Sequence, residues 1–268
     1  MIYVCGDIHG QFKLFRELLK TIHFSEEDVM YLVGDIIDRG SDSIPLMQYI
    51  MEHENIIPVL GNHELMMYAH YRLYLREDPW LLGGNGSQKT RVQFQKLSKE
   101  EREHILDYIY NMPLQKEVSV GKKTFLISHS CFLNKEVDSL TGEVRFGGDI
   151  YWKDVSYYIV EDLVWKSPWR YAEYVPIQDY EEDGRIHIIG HVPVLNIPNE
   201  DWISNQRPKM PCAYDNHNII NIDLGCAAMN AKFAKPEHLA LCCVCLDEYV
   251  KGKNAFYYIE DNKKGDNK

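Results

Sequence analysis

The sequence predicts an α/β protein in which part of the sheet is parallel. Three short apolar runs, each closed by a glycine, occur at residues 2–5, 29–33 and 56–60. Between them, residues 11–22 and 43–51 place apolar side chains at helical spacing. Strands that alternate with helices in this way are typical of βαβ units, whose strands run parallel.

The segment after the third strand has a different pattern. Helical periodicity occurs at residues 65–76 and 98–111, and the second helix opens on a Ser-x-x-Glu capping box. Residues 78–90 carry a proline and several glycines and predict a loop, which is either an ordinary connection or a lid over a nearby site. We therefore expect a mostly helical insertion over residues 65–115.

The rest of the chain returns to strands. A hairpin is predicted from residue 115 to 128, whereas residues 134–183 are rich in aromatic and acidic side chains, have weak periodicity and predict irregular structure. We expect one domain over residues 1–260, followed by a polar tail at 261–268. Further strands are predicted at residues 186–190, 219–223, 239–246 and 255–260.

Composition limits the class of function. The chain of 268 residues has 40 acidic and 29 basic side chains, for a formal charge of -11. An acidic surface repels the phosphate backbone, so we expect no nucleic-acid partner. No apolar run is long enough for a membrane span, and a cleaved N-terminal signal would remove the polar motif at residues 6–10. We therefore expect no membrane association.

Cysteine usage favours a reducing compartment. The seven cysteines include no Cys-x-x-Cys pair. Cys242, Cys243 and Cys245 share an apolar run, which favours buried thiols over a zinc site. The predicted location is the cytoplasm.

Metal-ligand side chains follow each of the first three predicted strands. The motifs are Gly-Asp-Ile-His-Gly at 6–10, Gly-Asp-Ile-Ile-Asp-Arg-Gly at 34–40 and Gly-Asn-His-Glu at 61–64. His129 and His191 follow later apolar runs in the same manner. Because the carboxyl ends of parallel strands share one edge of a sheet, we expect these side chains to converge there.

The converging side chains have the chemistry of a metal centre. Asp, His and Asn suit Mn²⁺, Fe²⁺ or Zn²⁺, and the core motifs contain no cysteine. Six ligand positions are too many for one open catalytic ion and fit two ions, which together can clamp a phosphoryl group. The six candidate ligands are Asp7, His9, Asp35, Asn62, His129 and His191.

The three motifs in this order, with the two later histidines, resemble those of the calcineurin-like metallophosphoesterases. The resemblance is greatest to the phosphoprotein-phosphatase branch with the bacterial and phage serine/threonine phosphatases. Asp-Leu-Gly at 223–225 also resembles the late Asp-Thr-Gly of bacterial members. The resemblance implies two mixed β-sheets packed as a sandwich, flanked by helices, with a dinuclear metal site at the strand ends.

The resemblance also implies a role for each ligand. One metal would be held by Asp7, His9 and Asp35. Asp35 would bridge to a second metal, which Asn62, His129 and His191 would also hold. The expected cofactors are two divalent ions, with manganese favoured over iron or zinc.

Four further roles follow from the same resemblance. Arg39 would bind the substrate phosphate, together with Asn62 and His63. His63 would protonate the leaving oxygen, and Asp38 would orient the His63 imidazole. A metal-bridging hydroxide would attack phosphorus directly.

The second phosphate-binding arginine departs from the family pattern. Bacterial members carry it in a Trp-x-Arg sequence, but here Ser167 follows Trp165 and Lys166. Either Arg170 or Lys166 would supply the charge, and we favour Arg170.

The expected function is that of a metal-dependent phosphoric-monoester hydrolase, foremost a serine/threonine protein phosphatase. Its partner would be a phosphorylated protein or a small phosphoester. Two alternatives stay open, a dinucleoside tetraphosphate hydrolase and a catalytically silent phosphate-binding module. The oligomeric state does not follow from the sequence.

Overall fold

Two mixed β-sheets share one hydrophobic core and are accompanied by helices, as the family resemblance implies. The structure is a computed structural model. It describes residues 1–73, 78–82, 84–133, 135–137, 144–146, 148–169, 175–201, 211–230 and 239–260. The predicted polar tail at 261–268 lies outside the described residues.

The first sheet has five strands. Its centre is the parallel set β1 (Ile2–Cys5), β2 (Val29–Leu32) and β3 (Ile56–Pro58), with Tyr3 opposite Met30 and Met30 opposite Ile56. Helices α1 (Phe12–Thr21) and α2 (Ser43–Met51) connect these strands, which confirms the predicted βαβ units. Two antiparallel strands, β12 (Leu241–Cys245) and β13 (Phe256–Ile259), continue the sheet beside β1.

The second sheet has six strands and a parallel set of its own. Strands β5 (Lys123–Ser128), β9 (Ile186–Ile189) and β11 (Ile219–Asn221) run parallel. Strand β4 (Pro113–Val120) pairs with β5 in the predicted hairpin. The flanking strands are β8 (Ile150–Tyr151) and β10 (Tyr214–Asn216), and a separate two-stranded ribbon is formed by β6 (Lys135–Val137) and β7 (Val144–Phe146).

Helices follow β3, as predicted, but their bounds differ from the prediction. Helix α3 (Asn62–Arg72) begins three residues earlier than expected, so its first turn contains the Gly-Asn-His-Glu motif. Helix α6 (Lys99–Tyr110) has the predicted capping box, in which Ser98 and Glu101 bond each other's backbone N–H groups at 2.7 and 3.1 Å.

The prediction of a loop over residues 78–90 is wrong in part. A short helix α4 (Pro79–Leu82) and the start of α5 (Gln88–Gln95) lie within it. Asp78 Oδ1 accepts the N–H groups of Trp80 and Leu81 at 3.1 and 3.2 Å. Asp78 therefore caps backbone N–H groups at the start of α4 that have no acceptor within the helix. Proline at the first helical position suits this geometry, and the Asp-Pro pair is the signal that marks the helix.

The prediction of irregular structure over residues 134–183 is also wrong in part. It contains the helices α7 (Tyr157–Trp165) and α8 (Ile177–Asp183). In α7 the buried residues Val160, Leu163 and Val164 repeat at helical spacing, which the surrounding tyrosines and acids obscure in the sequence. A last short helix, α9 (Leu246–Tyr249), follows β12.

The cysteines are unpaired, and those of β12 are buried, as predicted. In the part of the chain that the structure describes, no helix is both long and apolar enough to cross a bilayer.

Candidate metal centre and active site

Every predicted metal ligand follows the carboxyl end of a parallel strand. Three of these strands, β1, β2 and β3, belong to the first sheet, and two, β5 and β9, belong to the second. The site therefore lies where the two parallel sets end side by side. The ligands in chain order are Asp7 and His9 after β1, Asp35 after β2, Asn62 after β3, His129 after β5 and His191 after β9.

Asp35 lies at the centre of this arrangement and is 2% exposed. Its Oδ2 is 3.4 Å from His9 Nε2 and 3.9 Å from His63 Nε2, and its Oδ1 is 3.4 Å from His129 Nε2. Two groups of potential ligands have all their donor atoms within 4.8 Å of one another, namely His9, Asp35 and His63, and Asp35, His129 and His191. Among the described residues, Asp35 is common to both groups.

Two imidazoles are oriented by the backbone. His9 Nδ1 donates to the carbonyl of Ile37 at 3.0 Å, and His129 Nδ1 donates to the carbonyl of Val33 at 2.8 Å. Because a carbonyl can only accept, each Nδ1 carries a proton, and Nε2 is the nitrogen that faces Asp35. Histidines oriented in this way present Nε2 to a metal ion.

Asn62 and Asp7 are the other two predicted ligands, in addition to Asp35 and the three histidines. Asn62 Oδ1 lies 3.2 Å from His129 Nε2. Asp7 lies outside both ligand groups and packs against the end of β9, where its Oδ2 accepts the N–H of His191 at 3.1 Å. A Cβ atom at Gly190 would lie 1.9 Å from Asp7 Oδ1, so only glycine leaves room for this carboxylate.

The electrostatics favour a bound cation. Burial raises the pKa of Asp7 well above its usual range, and Asp223 and Asp35 raise it further. Burial also raises the pKa of Asp223, which follows β11, to about 6. Burial opposes the ionisation of Asp35 too, but the neighbouring histidines, His129 first, hold its pKa below the ordinary value. Buried carboxylates beside imidazoles fit divalent transition-metal ions.

His63, Asp38 and Arg39 lie together beside the ligands. His63 Nδ1 donates to Asp38 Oδ2 at 2.7 Å. The guanidinium of Arg39 spans two imidazoles, with Nη1 at 3.0 Å from His9 Nε2 and Nη2 at 3.2 Å from His63 Nε2. Burial would lower the pKa of His63, but Asp35 and then Asp38 raise it above its ordinary value.

Several site residues have a positive φ, a left-handed backbone conformation that residues other than glycine rarely adopt. Strain of this kind costs on the order of 1 to 3 kcal/mol per residue and persists only where the surroundings enforce it. The values of φ are 49° at His9, 47° at Asp35, 71° at Asp38, 63° at Arg39 and 67° at His191.

Glu64 enforces the turn after β2, a role that the sequence analysis did not assign. Its Oε1 accepts the N–H groups of Ile36 and Ile37 at 2.9 and 3.0 Å, and its Oε2 accepts those of Asp35 and Gly61 at 3.0 and 3.2 Å. One fully buried carboxylate thus ties the end of β2 to the end of β3. The sequence feature that could have indicated this role is a glutamate at the third position of α3, a helix that begins beside the site.

The segment from Trp80 to Thr90 is docked against the turn of Asp38 and Arg39. Trp80 is 0% exposed, and its Nε1 donates to Asp38 Oδ2 at 2.7 Å. The backbone N–H of Arg39 donates to the carbonyl of Gly86 at 3.0 Å. Trp80 and Gly86 therefore support the turn that carries Asp38 and Arg39.

Two basic residues are candidates for the second contact to the substrate phosphate, and the structure describes one of them. Arg170 lies outside the described residues. Lys166, the residue after α7, forms an ion pair with Asp162 at 2.6 Å through its Nζ, and both side chains are partly exposed. Ser167, at the family's arginine position, is buried, and its Oγ accepts the N–H of Trp169 at 3.1 Å.

The chain is similar to two kinds of curated protein. It is 31% identical over 150 residues to a symmetrical bis(5'-nucleosyl)-tetraphosphatase of Acidovorax sp., covering 54% of this chain and 50% of that protein. It is 32% identical over 130 residues to serine/threonine-protein phosphatase 1 of Salmonella typhimurium, covering 48% of this chain and 58% of that protein. The chain thus spans about half the length of these curated relatives.

The fold is also that of a solved phosphatase. A serine/threonine phosphatase from Saccharomyces cerevisiae matches 99% of this chain and 81% of its own, with a TM-score of 0.56 at 14% identity. The sequence model of the calcineurin-like phosphoesterases matches residues 1–205. The chain therefore belongs to the calcineurin-like phosphoesterase family.

Proposed function

We propose that the protein hydrolyses phosphoric monoesters with the help of two divalent cations, and that its substrates are phosphoserine and phosphothreonine in proteins. The observation that carries the proposal is the position of Asp35, whose Oδ2 and Oδ1 each lie 3.4 Å from the Nε2 of a predicted ligand, His9 and His129, beside Arg39 and His63. A carboxylate common to two ligand groups is suited to bridge two ions.

The residues would divide between the two ions as the family resemblance implies. Asp7, His9 and Asp35 would hold one ion, manganese foremost. The second ion would be held by Asp35, Asn62, His129 and His191. When bound, the pair of ions would activate a water molecule as nucleophile and offset the charge of the phosphate.

Arg39 would bind and orient the phosphate. The guanidinium of Arg39 already contacts His9 and His63. A phosphate placed between the metal ligands and the proposed acid, His63, would therefore meet Arg39. A guanidinium can donate two parallel hydrogen bonds to two phosphate oxygens, which a lysine cannot. Asn62 and His63 would contact the same phosphate.

His63 would protonate the leaving oxygen. Asp38 holds His63 through Nδ1, and Nε2 faces Arg39. With the guanidinium bound to phosphate instead, Nε2 would be available to deliver a proton. Serine leaves as a strongly basic alkoxide unless it is protonated, so this substrate class requires such an acid.

The thiols of the chain are unsuited to act as nucleophiles. Burial raises the pKa of Cys5 well above its ordinary value, and the pKa of Cys131 to about 12. A thiol is nucleophilic as the thiolate, so these groups stay inert. A covalent intermediate on these cysteines is therefore disfavoured.

The second candidate function is hydrolysis of dinucleoside tetraphosphates, which the name of the Acidovorax relative favours. A substrate panel of phosphoserine peptide, phosphothreonine peptide, diadenosine tetraphosphate and p-nitrophenyl phosphate, with manganese-loaded protein, separates the two. We expect the highest kcat/KM on the phosphopeptides. A higher kcat/KM on diadenosine tetraphosphate would replace the proposal with the second candidate, and turnover of no substrate would indicate a binding module.

A further inference from the structure

The carboxylate of Asp38 is held by two hydrogen bonds to the same oxygen. Oδ2 accepts His63 Nδ1 at 2.7 Å and Trp80 Nε1 at 2.7 Å. The other oxygen, Oδ1, is buried and has no hydrogen-bond partner among the described residues. Asp38 and Trp80 are both 0% exposed, so water does not replace a lost donor.

The indole is fixed by contacts of its own. The backbone N–H of Trp80 donates to Asp78 Oδ1 at 3.1 Å, and the carbonyl of Trp80 accepts Ser87 Oγ at 2.6 Å. Its ring packs against His70 and Tyr71, with ring centroids 5.2 and 5.9 Å apart. The N–H of Trp80 is therefore presented to Asp38 by a preformed support.

The same segment supports the main chain of the turn. Thr90 Oγ1 donates to Ser43 Oγ at 3.0 Å, and Ser43 Oγ accepts the N–H of Asp38 at 2.9 Å. With the bond from the N–H of Arg39 to the carbonyl of Gly86, the described residues of this segment support the main chain at Asp38 and at Arg39, which are both left-handed. Trp80 is the member of this segment that reaches the carboxylate itself.

We propose that Trp80 is a positioning residue for protonation of the leaving group. The indole N–H of Trp80 holds Asp38 Oδ2 in position, and that oxygen in turn orients His63 by accepting the hydrogen bond from its Nδ1. The inference rests on the proposed function, because it requires His63 to act as an acid. Without the indole donor, the Asp38 carboxylate is free to rotate, and the His63 ring loses its fixed direction.

The first test is Trp80→Phe, which keeps an aromatic ring and removes the N–H. We expect kcat on a phosphoserine peptide to fall about 10- to 100-fold, the worth of one hydrogen bond to a charged group. The loss on p-nitrophenyl phosphate should be clearly smaller, because a phenolate leaves with little help. KM for the peptide and the metal content should stay unchanged.

The matched control is Trp152→Phe. Trp152 is also buried, but it packs against Tyr68 and Tyr110 and has no contact with Asp38. This variant should lose thermal stability, but its kcat should not fall more on the phosphoserine peptide than on p-nitrophenyl phosphate. If Trp80→Phe does not fold, 3-benzothienylalanine at position 80 keeps the bicyclic ring and replaces N–H with sulfur.

A double-mutant cycle separates positioning from packing. In an Asp38→Ala background the indole has no acceptor, so adding Trp80→Phe should cost less than about 2-fold on the peptide. Additive losses would overturn the role of Trp80. A difference between the esters in His63→Asn but none in Trp80→Phe would also overturn it, and would leave the proposed function intact. Wild-type protein inactive on both esters would overturn the proposed function instead.

Discussion

Glu64→Gln tests whether one buried carboxylate holds the site together. Glu64 accepts four backbone N–H groups, two on each oxygen. Burial and the nearby Asp35 raise the pKa of Glu64, but four amide donors match a carboxylate, so we expect the charged form. Glutamine keeps one acceptor oxygen and presents an NH₂ group to the other two donors. The loss of two hydrogen bonds to a charged group should cost about 3 to 6 kcal/mol of unfolding free energy.

The assay is urea unfolding of the metal-free protein at neutral pH, with Glu103→Gln as the control. Glu103 is 44% exposed in an ion pair with Arg72, and its loss should cost less than about 1 kcal/mol. Since Glu64 also bonds the N–H of Asp35, Glu64→Gln should lower manganese affinity as well. Equal, small losses in the two variants would show that Glu64 is a neutral acid and refute this account of the turn.

Three further predictions concern separate groups. His63→Asn should lower kcat on phosphoserine peptide about 10²- to 10⁴-fold and lower it clearly less on p-nitrophenyl phosphate. Equal losses on the two substrates, with metals intact, would exclude an acid role. Asp38→Asn should show the same difference between the substrates more weakly. Arg170→Ala should raise KM and weaken inhibition by inorganic phosphate; unchanged inhibition would transfer the role to Lys166. Burial lowers the pKa of His187, so the folded protein keeps it neutral while the unfolded chain gains a proton below about pH 6.5. Between that value and the lowered pKa of the folded state, wild type should therefore lose up to about 1.4 kcal/mol of stability per pH unit relative to His187→Gln, and parallel urea-unfolding profiles would contradict this.

The position of the candidate site was predictable because it depends on topology. A glycine after each apolar run marks a strand end, and parallel strands bring their ends to one edge. The same rule applies to His129 and His191, although they belong to the second sheet. Sequence distance is no obstacle here, since β2 and β5 end side by side in the two packed sheets, which leaves Asp35 Oδ1 3.4 Å from His129 Nε2.

The supporting contacts were not predictable in the same way. Trp80 reaches Asp38 across 42 residues of sequence, from a short helix inside a segment rich in glycine. Glu64 bonds the turn after β2 from the first turn of another element. Such contacts depend on how loops pack in three dimensions, and no periodicity in the sequence encodes them.

The central claim is that Asp35 bridges two cations at the shared edge of the two sheets. Elemental analysis of purified protein after saturation with manganese and removal of free metal tests it most directly. Wild-type protein should hold two ions per chain, Asp35→Asn should lose most of both, and His9→Ala should mainly lose one. One ion per wild-type chain, or two retained in Asp35→Asn, would contradict the claim.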